Sequence, residues 1–433
     1  MLSWPLLTNP VRNKAAHPTY KKHTHIGDKM TFQRLSTKPA SAILACLLSS
    51  SAFGAVVVLP KYNVSVNDVS VSGLSSGAYM AAQMHFAYSK TIKKGAGIVA
   101  GGPMYCSQGS VAIATGPCMA NTGSRNLAYL QSVVNTWSGN GYIDPTSNMA
   151  GSKVYLFSGT LDSTVKQPVM NDLNSMYANY VNPANITYKN NIAAEHAMPT
   201  DFSGNGCSTN ATPYINNCNL DTAGDMLKWL YGTLNAKNVG TLGGTFINFN
   251  QATFWGNANP TTHGMASSGY AYVPANCTAG QVCKLHVAFH GCKQNVATVG
   301  VNYYQNTGYN RWADTNNMIV LYPQATTTAA NPNGCWDWWG YDDVNFPAKS
   351  GGQMVAIKTM IDRVVSGNAA APFTCSGWYD SNYWHVYYGR AYVGSDGQAY
   401  AVNSNQYLGY YATYAYTNVR RTSAGYYAHG SCA

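Results

Sequence analysis

Ser75 stands between Gly73 and Gly77 in the stretch "VSVSGLSSGAYMAAQMHFAYSK", a match to G-x-S-x-G. That pattern describes a strand-to-helix turn so tight that only small flanking residues escape a clash, with the serine hydroxyl exposed at its tip. The flanks agree with it. "VSVSG" reads as a strand, and Met80, Met84, Ala87 and Tyr88 recur at helical spacing, one face of a helix packed on a sheet. A serine hydroxyl is a poor nucleophile at neutral pH, so it needs a histidine to take its proton and usually a carboxylate to hold that histidine. With such a turn the expected chain order is serine, acid, histidine, the acid lying just past a strand end. Asp162 in "VYLFSGTLDSTV" has that position, and His196 in "AAEHAMPTD" is the first histidine after it. Each also has an ordinary reading: Asp162 as the cap of a following helix, His196 as a surface loop residue.

The negative oxygen that develops during acyl transfer is normally held by the amide after the serine and by a second amide from a loop that follows an earlier strand. No such strand precedes Ser75. The run "LHVAFHGC" supplies a strand and a His-Gly loop, but it begins at Leu285, in the second half of the chain, and "MIVLYPQ" from Met318 follows it as the next strand would. With "AGIVAGG" from Ala96 and "VYLFSG" from Val154, these short apolar runs are those of a buried, mostly parallel sheet, and "AGDMLKWLYGTL" and "GGQMVAIKTMIDRVV" read as helices that flank it. The simplest account is an α/β-hydrolase sheet circularly permuted so that the nucleophile half comes first. His290 in the His-Gly loop then shapes the loop and takes no proton.

The 433 residues carry a formal charge of +10, which suggests a polyanion partner until it is divided. Residues 1–54 hold seven Lys/Arg and one acidic residue, leaving 19 basic against 15 acidic residues elsewhere with no basic cluster. Nucleic acid is excluded as a partner. From Met30 the sequence "MTFQRLSTKPASAILACLLSSSAFGAV" has the basic, apolar and small-residue layout of a secretory signal, with Met30 as the start and cleavage after Ala52 and Gly54. Cys46, within the apolar run, suits a lipoprotein signal only loosely. No later segment is long and apolar enough to span a membrane. Export to an extracellular or periplasmic location favours disulfides. Sequence proximity pairs the ten remaining cysteines as Cys106 with Cys118, Cys207 with Cys218, Cys277 with Cys283, Cys292 with Cys335 and Cys375 with Cys432. No C-x-x-C occurs and the histidines lack ligand spacing, so neither metal nor cofactor is expected.

The expected organisation is a precursor segment at 1–54, a catalytic domain at 55–367, a linker at 368–375 and a small β-rich module at 376–433. The linker follows from "SGNAAAPF", where helical periodicity ends in small residues and a proline. The last segment carries 13 of the 33 tyrosines, and "AYVGSDGQAYAV" reads as a hairpin turning at Asp396 and Gly397. Its tyrosines could grip a substrate surface or be mostly structural, and the structural reading is the one preferred from sequence. The oligomeric state is left open, and a monomer suffices.

Residues 60–367 resemble the extracellular poly(3-hydroxybutyrate) depolymerases, in particular their circularly permuted group typified by a single-domain fungal enzyme. The likeness rests on "VSVSGLSSGAYMAAQ", "AGGPMYC", "HAMPTDF", "YINNCNLD", "LHVAFHGCKQ", "NTGYNRWADTNNMIVLYPQA" and "NPNGCWDWWG". It implies hydrolysis of a polyester or its oligomers, with Ser75 as nucleophile, Asp162 as acid and His196 as base. It implies oxyanion donors at the amides of Ser76 and Cys292, a Cys292–Cys335 disulfide, and Trp336 beside the cleft in contact with substrate, the alternative for Trp336 being an ordinary core tryptophan. Two departures stand out: Ala78 where a third glycine is usual, and the tyrosine-rich tail, which the single-domain enzyme lacks. Two rival functions fit the same residues, an esterase acting on feruloyl or acetyl groups of xylan and a non-catalytic adhesive module on a hydrolase fold.

Overall fold

The computed structural model describes residues 56–256, 258–367, 375–423 and 426–432. The precursor segment and all of the linker except Cys375 lie outside them. Eight strands form one sheet: β1 (Val64–Leu74), β2 (Gly95–Val99), β3 (Lys153–Phe157), β4 (Ile186–Lys189), β5 (Thr245–Asn250), β6 (Ser268–Val273), β7 (Cys283–Phe289) and β8 (Met318–Tyr322). Their order across the sheet is β4-β3-β2-β1-β7-β8-β6-β5. The six strands from β4 to β8 run parallel to their neighbours, while β6 pairs antiparallel with both β8 and β5.

This order makes sense only when the chain is read from β5. Started there, the strands cross the sheet in sequence with a single exchange of β7 and β8; started at β1, the path begins in the middle and jumps to an edge. The two ends of the hydrolase unit also meet, as a permuted fold requires. Tyr62 donates its N–H to Val364 O (2.9 Å), Arg363 Nε donates to Leu59 O (2.8 Å), and a Cβ on Gly367 would lie 2.3 Å from Tyr62 N.

Alternation along β1 explains how the sheet is filled from both sides. Val69 and Val71 join Met80, Met84, Leu130 and Ile357 in the core on one face. The other face carries Met226, Leu227, Trp312 and Tyr322. Helix α1 (Ser76–Ala87) is buried at every one of its residues, not on one stripe as its spacing implied. The reason is that the loop after β8 covers its outer side, where Gln83 Nε2 donates to Asp337 O (3.1 Å) and Tyr79 stacks on Trp338 at 3.9 Å.

The polar residues of β1 are also accounted for. Ser70 and Ser72 each contact one ring nitrogen of His286 at 2.7 Å, and the hydroxyls of Tyr231 and Tyr309 complete the network at 2.7 and 2.8 Å. A buried donor or acceptor left unpaired costs about 1–3 kcal/mol, so this network keeps a serine-rich strand affordable in the core.

All five cysteine pairs expected from the sequence are bonded. Beyond residue 375 the chain forms two small antiparallel sheets, one of Ser376–Ser381, Tyr416–Ser423 and Tyr426–His429, the other of Ala391–Val393, Gln398–Ala401 and Tyr407–Tyr410. The second contains the expected hairpin at Asp396 and Gly397. Their core is Ala391, Ala399, Ala401, Leu408 and Val419. Seven of the 13 tyrosines stay outside: Tyr379, Tyr387, Tyr388, Tyr407, Tyr410, Tyr414 and Tyr416 are all more than half exposed. Small side chains fill most of the interior, with Tyr427 packed against them, so these seven rings face outward.

Burial pushes three histidines far below the ordinary value of 6.5, His85 and His286 to about 3 and His290 to about 4. They fold neutral, so their contribution is complete above pH 6.5 and is lost as pH falls toward 4, because the unfolded chain binds those protons first. Unfolding followed by calorimetry should therefore show a melting temperature that drops steadily from pH 6.5 to 4. His286→Asn should flatten the dependence by up to about 1.4 kcal/mol per pH unit, the linkage of one proton. An unchanged slope in that variant contradicts the neutral, buried assignment.

Candidate active site

Ser75 joins β1 to α1 with φ 57° and ψ −123°, a conformation that costs a non-glycine residue about 1–3 kcal/mol and persists only where its surroundings enforce it. The surroundings are the two glycines. A Cβ on Gly73 would sit 2.2 Å from Gly77 O, and one on Gly77 would sit 2.3 Å from Phe289 O and 2.4 Å from His290 O. Ser75 N–H donates to Val99 O (3.0 Å), tying the turn to β2. The unusual Ala78 is accommodated opposite Gly101, whose own Cβ would come within 2.8 Å of the Ala78 methyl.

Asp162 lies in the turn after β3, nearly inaccessible. Its Oδ1 accepts the N–H groups of Thr164 (2.9 Å) and Val165 (2.8 Å), and its Oδ2 lies 2.9 Å from His196 Nδ1. The same carboxylate thus caps the following turn and holds the imidazole. His196 is buried and leaves Nε2 for another partner once Nδ1–H faces Asp162. Glu195 Oε2 accepts the N–H of Ser163 (3.1 Å) and of His196 (2.8 Å), clamping the acid loop to the loop that carries the imidazole.

The loop after β7 closes the arrangement. Gly291 packs on the serine, its missing Cβ 3.3 Å from Ser75 Cβ. Cys292 is fixed through Cys335, and Lys293 N–H donates to Asn333 O (2.7 Å). Burial keeps His290 neutral; its Nε2 accepts the Ala325 N–H (3.0 Å), which places the ring proton on Nδ1, 2.7 Å from Gly291 O. It is a strut of the loop, as the sequence implied.

Ser75, His196, Gly291 and Cys292 all line one cavity of about 440 Å³. Its far wall is a short helix (Val111–Thr115) continued by a wide turn through Cys118 and held by the Cys106–Cys118 bridge. Val111, Ala114 and Met119 face the cavity from this wall, and Trp338 and Trp339 from the other side. Tyr79 ties the two walls together, its ring stacked on Trp338 and its hydroxyl donating to Cys118 O.

Trp336 has to be corrected. It is completely buried, with Nε1 donating to His290 O (2.9 Å) and its ring packed on Phe289 and His290 at 5.2 and 5.3 Å. It supports the loop from behind and does not line the cavity. Its neighbours two and three residues on, Trp338 and Trp339, are the cavity tryptophans. The sequence signal, three tryptophans in "CWDWWG", was present, but an irregular loop has no periodicity to say which ring faces where.

Sheet, elbow and the paired carboxylate and imidazole define a serine hydrolase of the α/β class. Residues 268–370 match the family model described as Esterase PHB depolymerase. The chain is 53% identical over 341 residues to a poly(3-hydroxybutyrate) depolymerase of Delftia acidovorans, covering 78% of this chain and 67% of that one. It is 45% identical over 328 residues to a polyhydroxybutyrate depolymerase of Talaromyces funiculosus, covering 72% and 94%. The crystal structure of PHB depolymerase from Penicillium funiculosum superposes with a TM-score of 0.66 at 44% identity, over 72% of this chain and 99% of that one. A serine-to-alanine PHB depolymerase complexed with R3HB trimer superposes over the same shares with a TM-score of 0.67, also at 44% identity. The chain belongs to the PHB depolymerase family.

The two tryptophan positions should separate in experiment. Trp336→Ala should destabilise the fold by about 3–5 kcal/mol through the cavity it leaves. Trp339→Ala, at a partly exposed position, should leave the melting temperature within a few degrees and raise KM for a hydroxybutyrate oligomer. The opposite pattern, a stable Trp336→Ala with raised KM, would restore Trp336 to the cleft.

Proposed function

We propose that this protein hydrolyses the ester bonds of poly(3-hydroxybutyrate) and its oligomers through an acyl-enzyme formed on Ser75. The observation that carries the reading is the convergence of Ser75, His196 and Cys292 on one cavity to which Leu74, Val111, Ala114, Met119, Trp338 and Trp339 contribute apolar wall among polar groups such as Asn210 and Asn333. The apolar part of the wall suits the methyl groups of an uncharged polyester, and the polar part its ester oxygens. In the proposed mechanism His196 Nε2 takes the Ser75 proton as Oγ attacks the carbonyl carbon. The resulting oxyanion is held by the amides of Ser76 and Cys292, each contributing about 3–4 kcal/mol in a dry site. The imidazolium, stabilised by Asp162, protonates the departing alcohol; water activated by the same imidazole then releases the acid end.

Five disulfides support an exported protein working in an oxidising compartment. Among the described residues no helix is long and apolar enough to cross a membrane. For the tyrosine-rich tail, the exposed rings support contact with the polymer surface. Trp384 meets Tyr387 edge-on at 5.1 Å and stacks with Tyr388 at 5.7 Å, both tyrosines more than half exposed.

Ser75→Ala should remove all but roughly 10⁻⁶ of the turnover of a soluble hydroxybutyrate oligomer, and Asp162→Asn all but roughly 10⁻⁴, each with the fold intact. Activity of Ser75→Ala near that of the unsubstituted chain defeats the assignment. A parallel assay on feruloyl and acetyl xylan esters decides the rival esterase reading, for which turnover there and none on polyester is the required result. Removing residues 376–433 should weaken retention on polymer film while oligomer turnover stays within about twofold; unchanged retention removes the contact role.

A further inference from the structure

The second oxyanion donor, Cys292 N–H, belongs to the peptide unit whose carbonyl is Gly291 C=O. A trans peptide is rigid and planar, so the direction of that carbonyl fixes the direction of the N–H at its opposite edge. Gly291 O is held by His290 Nδ1 (2.7 Å) and by Gln294 N–H (3.3 Å). The preceding peptide is held at both of its ends. His290 O accepts from Trp336 Nε1, and Gly291 N–H donates to the side-chain oxygen of Gln294 at 2.7 Å.

Gln294 is 1% exposed, and its other end reaches elsewhere. Nε2 donates to Pro213 O (2.9 Å) and Tyr214 O (3.0 Å) in the loop closed by Cys207 and Cys218. Tyr214 O also accepts the N–H of Met198 (2.9 Å), two residues past His196. One side-chain amide therefore links the loop of the oxyanion donor to the segment of the catalytic base, across parts of the chain far apart in sequence. Its oxygen and both of its N–H groups are used, so it has one orientation.

We propose that Gln294 is a positioning residue for the transition state: it sets the Gly291–Cys292 peptide against Ser75 and holds that peptide in register with His196. The inference rests on the oxyanion role given to Cys292 above. With Gly291 lying against Ser75 Cβ, a modest rotation of the loop is enough to lengthen the Cys292 hydrogen bond to the oxyanion. Ground-state ester makes no comparable demand, so the loss should appear in kcat and not in KM.

The test uses the full chain with Gln294→Met, which has similar length and no hydrogen bonds, and Gln294→Glu, which keeps an acceptor for Gly291 N–H but turns a second oxygen toward two carbonyls. A fluorophosphonate counts reactive Ser75, so turnover of a soluble hydroxybutyrate dimer is expressed per labelled site and is independent of the folded fraction. The expected result for Gln294→Met is a kcat per site lower by about 10- to 100-fold, with KM within about threefold. Affinity for a trifluoromethyl ketone, whose tetrahedral adduct places an oxyanion in the same hole, should fall by the same factor as kcat/KM. Gln294→Glu should retain more of the kcat than Gln294→Met. A kcat per labelled site within twofold of the unsubstituted chain in either variant overturns the inference, as does a rise in KM at constant kcat. Failure of the unsubstituted chain to label at Ser75 overturns the serine assignment itself, a distinct result.

Discussion

The site depends on one close approach: the turn carrying Ser75 is pressed against the last carbonyls of β7, with no atom to spare at Gly77. That contact fixes two things at once. It forces Ser75 into its left-handed conformation, lifting the hydroxyl clear of the helix, and it brings the loop of residues 290–292 alongside the serine. A methyl group at residue 77 would strike two backbone carbonyls, and those cannot rotate away as a side chain could. Ser75 and the loop of residues 290–292 are therefore set by the pairing of β1 with β7, before any side chain is placed.

Circular permutation leaves this geometry untouched because it changes only which loops are cut. Asp162 still follows the strand two places from the one that ends at Ser75, and the loop of residues 290–292 still follows the strand next to it on the other side. What the permutation changes is the distance in sequence over which the site is assembled, since Cys292 comes 217 residues after Ser75 where an unpermuted chain would have it first. The network that compensates is mostly main-chain. Glu195 accepts from, and Gln294 donates to, backbone groups of a neighbouring loop, which holds loops in place without demanding particular side chains on the other partner.

Much of this was legible in the sequence, for physical reasons. A tight strand-to-helix turn demands glycines at fixed offsets, buried parallel strands demand apolar runs, and the order serine, acid, histidine follows from the sheet. The remainder depends on distances that no pattern encodes. Half-buried β5, with "TFINFN", and β6, buried at five of its six residues but with the mixed run "SGYAYV", both lack the continuous apolar run of a central strand. Trp336, Trp338 and Trp339 share an irregular loop, so burial of the first and exposure of the others to the cavity could be seen only in three dimensions. Gln294 sits in plain view within "LHVAFHGCKQ", yet its partners at 213 and 214 are brought to it by folding alone. The tail shows the limit of composition: tyrosine is abundant, yet the interior is mostly alanine, leucine and valine with Tyr427 packed against it, and seven of the rings are more than half exposed.

The central claim, that Ser75 faces two backbone donors from opposite halves of the chain, is tested most directly by a crystal structure of the Ser75 adduct with an alkyl fluorophosphonate, whose phosphonyl oxygen stands where the oxyanion forms. The account predicts that oxygen within about 2.7–3.1 Å of both Ser76 N and Cys292 N. An adduct whose oxygen turns toward solvent, or bonds Ser76 alone while the loop at 292 stands off, would contradict it.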